Sequence, residues 1–340
     1  MVFSSIIGPI FDRGYFRSLI FVGSFLVVIG MFSTSFANDY WQIFLAQGLC
    51  VGLGTGCLFL PSLTVVATGF TKNRALAIGL VGAGGSVGSV IYPIVFSHLQ
   101  PKIGFGWTTR VITFINLFTL SISILIMQTR PPLAKKPRAL IDLSAFRSLI
   151  FIIFSVGLFL TLLGLYIPFF YVIIYAERIL NIDKNLSFYV LVILNAASLF
   201  GRIIPGLVAD HLGALNVTIA CTLISSILTY AWIAVHNLLG LIIFCILYGF
   251  SSGAVISLPA TVVAGFAPDF QLIGTWMGMC YSLAGLGLLI GNPIDGAILN
   301  IPENKFIGGL AFSASAILAG GLLFVIVRVL KADSKKSWKM

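Results

Sequence analysis

Apolar positions along this chain show neither the alternation of a half-buried strand nor the one-sided stripe of a surface helix. They recur on every face over whole helix lengths. Ten such runs lie near 17–36, 41–67, 75–97, 108–128, 147–175, 186–208, 214–235, 238–266, 272–294 and 307–330. A bilayer-crossing helix needs about 20 apolar residues, so each run is predicted to span a membrane. Trp41 and Trp107 stand at run starts, where interfacial aromatics belong. A membrane β-barrel would alternate in segments of about ten residues, and no stretch does. The pattern predicts an all-α, polytopic integral membrane protein of about ten full spans plus an apolar half-span at the N-terminus.

Charge adds sidedness. Only 9% of the 340 residues are charged, against 59% hydrophobic; a soluble domain is about a quarter charged. The loops around 12–17, 72–74 and 129–147, with the tail from Arg328, hold 14 of the 20 Lys and Arg, and the opposite loops hold five. Acids divide evenly. The formal net charge of +10 is therefore a topology signal, with the basic side and both termini expected in the cytoplasm. Nucleic acid is not needed to explain it; the partners expected are a lipid bilayer and a small molecule. The tail "LKADSKKSWK" is expected to touch anionic lipid as well. The plasma membrane is the expected location.

Enzyme chemistry finds little support. Cys50, Cys57, Cys221, Cys245 and Cys280 lie in apolar runs without a C-x-x-C pair. His98, His211 and His236 are far apart, and there is no H-E-x-x-H or G-x-S-x-G. No metal, cofactor or catalytic residue is expected. Asn185 to Ser187 form a weak N-glycosylation acceptor on the outer side.

The halves repeat in the same direction. "GPIFD" (8–12) matches "GLVAD" (206–210), and "PSLTVVATGF" (61–70) matches "PATVVAGF" (259–266), both at an offset of 198. "IG" at 78–79 recurs at 273–274. The organisation expected is an N-terminal helical bundle over 1–128, a cytoplasmic linker over 129–146, a six-helix C-terminal bundle over 147–330 and a basic tail over 331–340. Asp210 follows two spans, whereas Asp12 follows eleven residues, about 16 Å of helix. The first bundle is thus expected to lack one helix and most of a second, through a gene model that starts late or in the protein itself; nothing in the sequence supports an accessory membrane chain to fill the deficit.

At these residues the sequence resembles the major facilitator superfamily. "GPIFDRGYFR" (8–17) is similar to its loop between helices two and three, and "GLVADHLG" (206–213) to the second-half copy. "GFTKNRALAIGLVGAGGSVG" (69–88) resembles the fifth-helix signature of the monocarboxylate porters, through Phe70, Lys72, Arg74, Leu76, Ala77, Gly79, Ala83, Gly84 and Gly88. "GFGWTTRV" (104–111) has the flavour of fungal members. The resemblance implies two pseudo-symmetric bundles, parallel repeats about an axis along the membrane normal, and proton-coupled transport of a small organic anion by alternating access. Export of a fungal secondary metabolite, or import of a larger planar acid, is the alternative within transport. A non-transporting relic or membrane sensor is the alternative outside it.

The glycines of "GAGGSVG" could pass for a phosphate loop. That reading needs a preceding strand, and here they lie inside an apolar helix. Gly79, Gly84 and Gly88 are instead expected to let helices pack closely.

Arg202 is the leading site candidate. It lies about 12 Å up its helix from Asp210, and a charge at that depth usually lines a pathway. Its repeat partner is Ser4, so symmetry does not require it. The resemblance implies that an arginine in R-x-x-x-G, here Arg202 to Gly206, binds the substrate carboxylate; the acid the family often carries one turn earlier is Ser198 here. Snorkelling to the interface is the other reading. Asn195 and Asn116 either bind substrate or bridge helices. Tyr166 and Phe170, in a cluster with Phe169 and Tyr171, line a cavity or pack against neighbours. Asp12, Arg13, Arg17, Asp210 and His211 are expected to clamp cytoplasmic helix ends as a gate.

Overall fold

The computed structural model describes residues 1–127, 142, 144–299 and 306–333, apart from the side chains of Asn185 and Asp333. The basic run of the 129–146 linker, Lys305, the tail lysines Lys335, Lys336 and Lys339 and the glycosylation asparagine's side chain lie outside the described residues.

Helices account for nearly all of the described chain, and no strand occurs among those residues. The bilayer explains why, because a spanning backbone has no water to bond and must satisfy itself internally. The chain begins with α1 (Ser4–Asp12) and α2 (Phe16–Thr34). The third helix, α3 (Tyr40–Gly69), widens into π-helical turns over Phe44–Val51. Then comes α4 (Arg74–Ile126). The second half comprises α5 (Leu149–Leu165), α6 (Ile167–Arg178), α7 (Lys184–Leu212), α8 (Ala214–Trp232), α9 (Leu238–Ala264), α10 (Ile273–Ile298) and α11 (Ile307–Asp333).

Nine helices among the described residues are long and apolar enough to cross a membrane, with α5 and α6 taken together as one. The sequence predicts ten spans; the difference is α4. At 53 residues a straight helix would reach about 80 Å, against a hydrocarbon core of about 30 Å. It does not stay straight. Gly104 has φ 76° and ψ 170°, a conformation only glycine adopts freely, and breaks the helix there. Tyr92 and Asn116, 24 residues apart, are hydrogen-bonded at 2.6 Å, so the chain doubles back. The two arms are the expected spans 75–97 and 108–128.

Many threonine hydroxyls inside the spans are satisfied by their own helix. Thr64, Thr113, Thr161 and Thr222 each donate to the carbonyl four residues back, at 2.7–2.8 Å. In the second half a chain of rings, Tyr175, Trp232, Phe244 and Tyr248, packs with centroids 4.7–5.3 Å apart. Phe169 and then Tyr166 continue it at 6.2 and 5.6 Å.

The halves meet at α1 with α10 and at α4 with α7, in matching fashion. Asp12 at the end of α1 accepts hydrogen bonds from the backbone N–H of Gly274 (3.1 Å) and Thr275 (2.7 Å) and from Thr275 Oγ1 (2.7 Å). Asp210, near the end of α7, accepts from Ala75 N (2.9 Å) and Leu76 N (3.0 Å). Neither α4 nor α10 receives a side-chain cap from its own N-cap residue, Asn73 or Leu272. Each takes its cap from the other half instead. The equivalence Ala75–Gly274 and Leu76–Thr275 sets the register at an offset of 199. The sequence pairing of "IG" 78–79 with 273–274 is therefore wrong by one helical turn, since Gly79 corresponds to Gly278. Both sit where the opposing backbone leaves no room: a Cβ on Gly79 would meet the carbonyl oxygen of Arg202, and one on Gly278 that of Ser4.

Candidate functional site: a cavity around Arg202

Because α4 and α7 touch at Gly79, the side chain of Arg202 must run along α4 rather than out of the interface. Gly82 and Gly85, one and two turns further, give it space. A Cβ at either would come within 3.4 Å of the guanidinium. Their counterparts in the other half are Tyr281 and Ala284. The repeat thus exchanges a large side chain across the contact: Arg202 faces Gly82 in one copy, and Ser4 stands opposite Tyr281 in the other. Arg202 Nη1 donates to the carbonyl oxygen of Gly82. Its Nε is buried and has no partner among the described residues. A snorkelling arginine would bring its head to the interface; this one is held inside.

Arg202 lines a cavity of about 670 Å³. One wall is α4, through Gly84, Gly88 and Tyr92. The facing wall is the α5–α6 junction, through Tyr166, Phe169 and Phe170. Leu191 and Asn195 of α7 complete it. From Leu191 to Arg202 is roughly 16 Å of helix. On the side nearer Asp210, α4 and α7 are in backbone contact at Gly79 and Gly206. The cavity is therefore closed toward the capped helix ends and extends the other way.

The residues singled out from sequence divide as follows. Arg202, Asn195, Tyr166 and Phe170 share the cavity. Asn195 Nδ2 donates to Leu191 O at 3.0 Å, leaving its amide oxygen without a bond among the described residues. Asn116 is not in the lining. It acts one step removed, accepting from the hydroxyl of Tyr92, which is. Ser198 points elsewhere: it is buried against Gly253 of α9, whose Cβ would stand 3.0 Å from its Oγ. Four residues before Arg202, Ser198 lies on much the same helix face, so it is the packing of α9 against that edge, not helix periodicity, that takes it out of the lining.

The glycine reading needs correcting in part. Only Gly79 of the three packs against another helix. Gly84 has nothing within 4 Å of a Cβ position, and Gly88 meets only the ring of Tyr92. Both are cavity wall. Tyr171 leaves its cluster, its hydroxyl lying by Gly296 of α10. At the other end, Arg13, Arg17 and His211 are exposed, and Asp12 and Asp210 each hydrogen-bond to the opposite half. Sequence reasoning placed Phe169 in the aromatic cluster but missed Tyr92 and the Gly82–Gly85 groove. The spacing of Gly79, Gly82 and Gly85, one turn apart, was the available signal.

A polytopic helical protein of two related halves, with a buried cation in a cavity between them, has the architecture of a membrane carrier. Comparison with known proteins agrees. Residues 1–218 match the family described as Major Facilitator Superfamily. The chain is 41% identical over 324 residues to the MFS-type transporter dbaD of Emericella nidulans, covering 94% of this chain and 72% of that one. It is 37% identical over 322 residues to the agnestins efflux protein AgnL12 of Paecilomyces divaricatus, covering 95% and 73%. Among solved structures, the fucose:proton symporter FucP of E. coli superposes with a TM-score of 0.72 at 13% identity, over 95% of this chain and 87% of that one. The chain belongs to the Major Facilitator Superfamily. It is a secondary transporter of that type and an integral multi-pass membrane protein, not an enzyme.

Proposed function

We propose that this carrier exports a planar aromatic acid, a secondary-metabolite anion, by alternating access, with Arg202 engaging the acid group. The observation that carries this reading is the buried, unpartnered Nε of Arg202 inside an aromatic-walled cavity of about 670 Å³. An unmet buried donor costs about 1–3 kcal/mol, and a ligand oxygen there removes that cost. Cavities of this size hold drug-sized ligands, typically about 300–1,000 Å³. A small monocarboxylate would leave most of the space empty, so the fungal-metabolite alternative is preferred to the monocarboxylate-like cargo. The similarity to AgnL12, an agnestins efflux protein, favours the export direction. The ring system stacks on Tyr166, Phe169 and Tyr92, and the amide oxygen of Asn195 accepts from a ring hydroxyl.

Two bundles, 1–128 and 147–330, rock about this cavity, joined by the linker 129–146. The termini face the cytoplasm of the plasma membrane, and a proton gradient drives the cycle. The test is uptake of hydroxynaphthoate, a planar hydroxy acid, into inside-out vesicles. Arg202→Lys retains the charge and loses the planar fork. It is expected to raise Kd by about 10–100-fold, the value of a charged hydrogen bond of about 1.5–3 kcal/mol. Unchanged binding and flux would remove Arg202 from the site. Binding without flux in the unmodified protein would favour a sensor.

A further inference from the structure

The span of α10 contains one acid, Asp295. It lies roughly 31 Å along the helix from the end that Asp12 caps. Its side chain is 0% exposed, and neither carboxyl oxygen has a hydrogen-bond partner among the described residues. The site is shaped for it. A Cβ on Gly309 of α11 would stand 2.6 Å from Asp295 Oδ1, so only glycine there leaves room for the carboxyl group. From α6 the titratable group facing it is Tyr171, which interacts with it electrostatically. Arg178, the basic residue at the end of α6, is exposed to solvent. The repeat gives no reason for an acid here, because the equivalent position on α4, at the offset of 199, is Phe96.

A bare carboxylate without donors in an apolar interior costs several kcal/mol. Acids buried in membrane helices usually pair or carry protons and ions, and Asp295, in the last turn of α10, has no cation beside it among the described residues. We propose that Asp295 is a proton-binding site of the carrier, holding a proton in the arrangement seen here and exchanging it when α6 moves away from α10. On opening, the carboxyl O–H gives its proton to water and the carboxylate is hydrated. On closing it takes a proton back before it is buried. The element that links this event to cargo is α6. It is separated from α5 at Tyr166, presents Phe169 and Phe170 to the cavity, and presents Tyr171 to α10 beside Asp295. Cargo against the first pair and hydration of Asp295 thus act on one short helix.

This inference rests on the carrier reading above, and the experiment separates the two. Infrared difference spectra of the purified protein in lipid are expected to show the carbonyl stretch of a protonated carboxylic acid at neutral pH. That band should be missing in Asp295→Asn, a neutral isostere. In proteoliposomes, Asp295→Asn is expected to cut hydroxynaphthoate accumulation driven by a pH gradient to the level of protein-free liposomes, with its Kd for hydroxynaphthoate preserved. Absence of the band in the unmodified protein overturns the proposal, as does full gradient-driven accumulation by the variant. A band that depends on Asp295 in a protein that moves no hydroxynaphthoate upholds the proton site and rejects only the cargo.

Discussion

At the residue scale, the site depends on where side chains are absent as much as on where they are present. Gly79 permits backbone contact between α4 and α7, and Gly82 and Gly85 house the guanidinium of Arg202. A methyl group is a severe change at the first position and a slight one where the wall is open. Gly79→Ala is expected to push α4 off α7 and lower the melting temperature by several degrees, at a cost of about 1–3 kcal/mol for overpacking. Gly84→Ala, with nothing within 4 Å, should melt like the unmodified protein. Thermal shift of the two detergent-purified variants checks the contrast; equal melting points would mean that the glycines are interchangeable.

At the element scale, two helices are capped from across the molecule. An N-cap contributes about 1 kcal/mol, and an ionised acceptor at a helix N-terminus adds to this through the unpaired N–H groups and the dipole. The caps of α4 and α10 therefore exist only while the halves are together at that end. Removing one weakens closure rather than either helix alone. Asp210→Ala is expected to destabilise the closed arrangement by about 1–2 kcal/mol. A cysteine placed at Leu76 should then react faster with a membrane-impermeant thiol reagent supplied from that side, on a background with the natural cysteines replaced. An unaltered rate would show that Asp210 does not hold the gate.

At the scale of the whole molecule, the two clamps are related by pseudo-symmetry and share no residue. Their effects should therefore add. Asp12→Ala with Asp210→Ala is expected to shift the equilibrium by about 2–4 kcal/mol toward opening at that end. Distance measurements between spin labels on α1 and α10 should then show a second, longer population. If the double variant opens no further than either single one, the two clamps are one device. The broken α5–α6 unit belongs to this scale too, because it joins the cavity wall to the region of Asp295.

Much of this molecule is written in one dimension. Membrane spans, helical class, the parallel repeat and the deep arginine are local properties of composition and spacing, because a bilayer imposes length and apolarity on each segment separately. The acids Asp12 and Asp210 are likewise visible as matched motifs. What they bind is not visible, because their partners are backbone N–H groups more than a hundred residues away, and an amide carries no signature in sequence. The same holds for the one-turn error in the repeat and for Ser198, whose direction depends on which of two neighbouring helices lies behind it. Gly84 and Gly88 look like packing glycines for the same reason: a missing side chain reads alike whether a helix or a cavity takes its place. Asp295 stood in the sequence as one acid near a span end. Only packing, which puts Gly309 and Tyr171 around it and no cation among the described residues, makes it a buried carboxylate that needs a proton.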